Sequence, residues 1–107
     1  MSSAIKVIQP SGILDGNQAG QFRQEITEAV QGGSEVIIVD FQNVTFMDSS
    51  GLGALVLSLK TVRSAGGKIF ICSINDQIKM LFELTDMDRV FEIFNNREEL
   101  EQKILGS

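Results

Sequence analysis

A chain of 107 residues, 43 % of them hydrophobic, is long and apolar enough to build one core without disulfides or structural metals. With 14 acidic against 9 basic residues and a net charge of −5, its surface repels phosphate backbones, which excludes nucleic acid as the expected partner and favours a protein with a basic face. The absence of His and the single Cys exclude a Cys/His zinc site and any nucleophile activated by imidazole. The unpaired Cys72 fits a reducing, cytoplasmic compartment. Residues 1–10 lack the basic and apolar regions of a signal peptide, and no apolar run approaches the roughly 18 residues of a membrane span.

The elements follow in chain order as one domain spanning residues 1–107. Ile5-Lys6-Val7-Ile8 has strand character, Pro10-Ser11-Gly12 bends it, and Ile13-Leu14 resumes. These pieces have too little chain between them for a crossover and are expected to pair antiparallel at a sheet edge. Asp15-Gly16-Asn17 opens a helix expected from Gln18, in which Ala19, Phe22, Ile26, Ala29 and Val30 keep helical spacing until Gly32-Gly33. Val36-Ile37-Ile38-Val39 is apolar on both faces, the mark of a central parallel strand. Val44-Thr45-Phe46 is a short extended piece, and a second helix is expected from Gly51 to Ala65. Ile69–Cys72 is another buried strand, followed by a helix from Asn75, a strand over Val90–Phe94 and a last helix from Arg97. Strands alternating with single helices predict an α/β fold with a mixed, mainly parallel sheet of four or five strands and about four helices.

The segment with functional character is Phe46-Met47-Asp48-Ser49-Ser50-Gly51-Leu52-Gly53-Ala54-Leu55. It puts an acid and two hydroxyls at a helix start on a loop leaving a strand end, where binding sites collect in α/β sheets. A phosphate on Ser49 would meet the positive end of the helix rather than be expelled. The bland reading is that Ser49 or Ser50 is simply the N-cap. Two hydroxyls exceed what a cap needs, however. The helix is also apolar beyond its inward stripe of Leu52, Leu55, Val56 and Leu59, with Gly53, Ala54 and Leu57 expected on the outer side. Small and apolar residues there allow close approach of another protein.

Phe46 to Gly53 resembles the signature of bacterial anti-sigma factor antagonists, the STAS family (sulfate transporter and anti-sigma factor antagonist). Gly12-Ile13-Leu14-Asp15, the Val36–Asp40 strand, the Gly66-Gly67 turn and the Ile78–Phe82 helix are similar to the family's pattern over about residues 5–105. The resemblance implies a phosphorylation-controlled switch. The partner is a serine kinase of the histidine-kinase-like ATPase superfamily that is also the anti-sigma factor, and a metal-dependent serine phosphatase reverses the modification. It implies Ser49 as the acceptor, flanked by Asp48 and Ser50, with Asp15 at the partner interface and Gly51, Leu52, Gly53 and Ala54 as the helix start on which the kinase docks. One departure is expected: the family's additional N-terminal strand has no counterpart ahead of Ile5. That leaves Ile5–Ile8 as an open edge and predicts a weak homodimer.

Other features read as structural. Cys72 is expected to be an inert core thiol, and Met47, Met80 and Met87 gap-fillers. Glu98, Glu99 and Glu101 suit the start of the last helix. Gly51-Leu52-Gly53 without a following Lys-Ser/Thr is a weak nucleotide signal. The leading reading is therefore a regulatory binding protein with no catalysis and no cofactor. The alternative is a STAS accessory module of a transporter or sensory complex, acting as a static docking subunit.

Overall fold

The computed structural model describes residues 5–106, excepting the side chain of Leu105. The proposed loss of an N-terminal strand concerns residues 1–4 and lies outside this range. Among the described residues six strands and four helices follow in the order β1 (Ile5–Ile8), β2 (Ser11–Leu14), α1 (Gly16–Gln31), β3 (Val36–Asp40), β4 (Asn43–Met47), α2 (Ser49–Ser64), β5 (Lys68–Cys72), α3 (Asp76–Leu84), β6 (Glu92–Phe94) and α4 (Arg97–Leu105). A short 3-10 turn, Met87–Arg89, links α3 to β6.

The main sheet has the order β1-β3-β5-β6, with every pair parallel, so β3 lies centrally and β1 at an edge. The expected antiparallel pairing of the N-terminal pieces is corrected. β2 leaves the main sheet and pairs parallel with β4, forming a separate two-stranded ribbon. The bend at Gln9-Pro10 separates two strands that each find a partner from the β3–β4 segment instead of each other. Gly12 has φ +75°, and beside it the register slips so that Gly12 faces Val44 while Ile13 faces Phe46. That bulge needs the left-handed conformation glycine tolerates.

Alternation along β3 and β5 builds two cores. Ile37, Val39, Ile69 and Ile71 join Phe22, Ile26, Leu55, Leu59, Ile78 and Phe82 in the larger one. Ile38 and Cys72 face the other way and are closed by Leu100 of α4. This two-sided burial is why the strands read as unbroken apolar runs. At the carboxyl end of β3, Asp40 is 1 % exposed, and its carboxylate accepts from the Gln9 amide at 3.2 Å and the Gln42 N–H at 2.9 Å. The acid thereby ties the end of β1 to the turn into β4.

Candidate functional site

β2 and β4 deliver their ends side by side, and each is followed by an Asp that starts a helix. Asp15 accepts from the Asn17 N–H at 3.0 Å and caps α1. Asp48 accepts from the Gly51 N–H at 3.0 Å and caps α2. The capping role read onto Ser49 or Ser50 is thus corrected, because the carboxylate already reaches the third helical N–H. Both hydroxyls, at the first and second helical positions, are left exposed. The two helix starts abut: a Cβ built on Gly16 would lie 3.7 Å from Ser50 Oγ. Two positive dipole ends therefore converge at this corner.

The helix start divides into a buried support and an exposed face. Gly51, Leu52 and Ala54 are buried, the last contrary to the outward position expected for it. α1 packs alongside α2, so the helix is covered over a wider arc than a single inward stripe would need. At Gly51 a Cβ would run into the backbone carbonyl of Leu14, so a glycine is what lets the first turn lie on β2. Ser49, Gly53 and Leu57, spaced four apart, form the outward row, with Leu57 43 % exposed. Nothing lies within 4 Å of a Cβ built on Gly53. Beside the helix start, Ile13 and Phe46 face each other in register and stand 53 % and 45 % exposed. The result is a hydroxyl-bearing helix start with a bare backbone patch and apolar flanks, which suits a protein partner.

Two positioning groups escaped the sequence. The Gln77 carboxamide accepts from the Met47 N–H at 2.9 Å and donates to the Met47 carbonyl at 2.8 Å. Asn75, legible only as a helix start, also donates to the Val44 and Thr45 carbonyls at 3.3 and 3.2 Å. No local pattern marks these contacts, which span about 30 residues of chain.

Among the described residues no group of three or more His, Cys, Asp or Glu side chains could hold a metal, and no helix is long and apolar enough to cross a membrane. Cys72 is fully buried, and burial pushes its thiol up to about 11.

A STAS domain family model matches residues 2–100. The chain belongs to the STAS domain family. The STAS chain is 29 % identical over 93 residues to the anti-sigma F factor antagonist of Paenibacillus polymyxa, covering 86 % of this chain and 80 % of that one. It is 31 % identical over 91 residues to the anti-sigma-B factor antagonist of Staphylococcus aureus, covering 85 % and 84 %. Its fold superposes on unphosphorylated SpoIIAA with a TM-score of 0.83 at 23 % identity, covering 99 % and 92 % of the two chains. The phosphorylated form of SpoIIAA, from Bacillus, gives 0.75 at 24 % identity over 96 % and 93 %.

Proposed function

We propose that this STAS domain is an anti-sigma factor antagonist controlled by phosphorylation of Ser49. The partner is a serine kinase of the histidine-kinase-like ATPase superfamily that doubles as the anti-sigma factor, and a metal-dependent serine phosphatase resets the switch. The observation that carries the reading is the exposed row of Ser49, Gly53 and Leu57. It places a free hydroxyl one helical turn from a glycine whose outer side is open. The names of the Paenibacillus and Staphylococcus relatives support an anti-sigma factor as the partner.

Phosphorylation adds about −1.5 to −2 charges at pH 7. The helix start offsets them locally, so the fold barely moves. A partner surface seated on Gly53 has no such compensation. It meets both bulk and an unpaired charge beside Asp48, and each 1.4 kcal/mol lost is about tenfold in affinity. Among the described residues β1 ends the sheet order, with Lys6 its one charge, which supports a weak homodimer as a second association.

The test is the intact mass of wild-type, Ser49→Ala and Ser50→Ala chains recovered from their own cells. One phosphate is expected on the first and third and none on Ser49→Ala; a phosphate retained by Ser49→Ala overturns the acceptor assignment. Ser49→Ala should also retain an ATP-binding serine kinase that Ser49→Asp releases, at nearly equal melting temperatures. Equal retention by both overturns the electrostatic switch. Recovery of a membrane transporter in place of the kinase supports the static docking module instead.

A further inference from the structure

The β2–β4 ribbon has two strands, so β4 pairs with β2 along one side only. The Asp48 N–H donates to the Leu14 carbonyl at 3.3 Å on that side. Backbone groups alternate direction along a strand, so Met47 turns its N–H and C=O the other way, toward where a third strand would lie. Leaving them unpaired beside a fully buried side chain would carry the cost of a lost hydrogen bond. Instead α3 supplies both partners from one side chain, the Gln77 carboxamide, at 2.9 and 2.8 Å. At the bulge, where the pairing skips Thr45 and the alternation breaks, Asn75 adds to this: its Oδ1 caps α3 at the Ile78 N–H, 2.9 Å away, while its amide nitrogen reaches the carbonyls of Val44 and Thr45. Two side chains at the start of α3 thus act as the missing strand neighbour of β4.

We propose that Gln77 is a positioning residue for the switch: it clamps Met47 and so fixes the Asp48 cap and the direction in which Ser49 is presented. The proposal rests on the reading of Ser49 as the phosphoacceptor. Only Asp48 separates the clamped residue from Ser49, and Asp48 holds extended dihedrals, φ −105° and ψ −174°, to reach the Gly51 N–H. Without the clamp the end of β4 is held on its β2 side alone, and such a weakly held strand end opens locally while the core stays closed. A kinase then meets a hydroxyl in many orientations rather than one, which slows transfer more than it weakens docking.

The test compares Gln77→Met, of similar length without the hydrogen bonds, with Gln77→Glu, which keeps an acceptor and loses the donor at neutral pH. Amide exchange is followed by NMR on the full chain at pH 7 and at about pH 3.5, below the ordinary glutamate value of about 4.3. Gln77→Met should speed exchange at Met47 and Gly51 about tenfold while Leu59, in the middle of α2, keeps its rate. Gln77→Glu, whose carboxylate still accepts from the Met47 N–H but cannot donate to its carbonyl, should lie between wild type and Gln77→Met at pH 7 and gain protection at the lower pH, where the acid both donates and accepts. Acidification acts on the rest of the chain as well, so Gln77→Met at both pH values sets the baseline. Unchanged exchange at Met47, an equal rise at Leu59, or a recovery no larger than that baseline overturns the clamp. With the kinase that labels wild type at Ser49, Gln77→Met should lower kcat several-fold with KM held; an unchanged kcat overturns the positioning role. A wild-type chain never labelled at Ser49 overturns the acceptor reading, while the exchange measurement still decides the clamp.

Discussion

A methyl group added at Gly53 meets nothing within 4 Å and would replace a flexible residue inside a helix. Gly53→Ala should therefore stabilise the domain by about 0.5–1 kcal/mol, read as a higher midpoint in urea. The same methyl projects into the proposed docking face, so retention of the kinase by Gly53→Ala should fall while stability rises. Opposite signs in the two measurements separate a binding residue from a structural one; equal kinase retention argues that the partner sits elsewhere. Cys72 behaves in the reverse way, since its role is packing. Its thiol stands at about 11 against an ordinary 9.0, raised first by burial and then by the nearby Asp40 carboxylate. The thiolate is the nucleophile, so alkylation at pH 8 should be slow in the native chain and fast in urea. The unfolded thiol loses its proton from about pH 9 while the folded one keeps it to about 11, so the folded state binds more protons in that window. Stability therefore falls as pH rises through it. A Cys72→Ala chain should lack this part of the alkaline decline.

At the scale of elements, α2 is placed by its contact with β2 rather than by its own hydrophobic stripe. Gly51 lies directly over the Leu14 carbonyl, and the Asp48 N–H donates to that same oxygen. Gly51→Ala must push the first turn off the strand, with an expected loss of about 1–3 kcal/mol. The melting temperature should drop, and kinase retention with it, because the row of Ser49, Gly53 and Leu57 moves as a unit. A fully stable Gly51→Ala chain would mean that the helix start has room the structure does not give it. The contrast with Gly53, two residues away, is a matter of which side of one turn each occupies.

For the whole molecule, the proposed self-association rests on the sheet edge. β1 is hydrogen-bonded to β3 on one side and occupies the end of the four-stranded order. Ile5 is 45 % exposed, and one Lys is a thin defence against strand pairing. The net charge of −5 opposes self-association and is screened by salt. A weak homodimer should therefore appear in sedimentation at high protein concentration and strengthen as ionic strength rises. A strict monomer at millimolar concentration and high salt would exclude the edge as an interface.

The alternation of strands and helices, the central place of β3 and the start of α4 at Arg97 were legible in the chain because each rests on local signals: apolar period, glycine stops and caps. The Asp-Ser-Ser-Gly run likewise marked the corner where the two helix starts meet. Strand pairing was not legible. β1 and β2 look like an edge hairpin in sequence, yet each pairs parallel with a strand about 30 residues away, since pairing is decided by which partners the crossovers bring alongside. Nor could the chain say that Ala54 is buried and Gly53 open, because the width of the covered arc on α2 depends on α1 lying beside it. Gln77 shows the same limit: a carboxamide carries no periodicity, and its value to the site arises only when the fold sets it against the backbone of Met47. Local chemistry chose the elements and the Asp-Ser-Ser-Gly turn, and long-range packing chose which of those residues stand exposed.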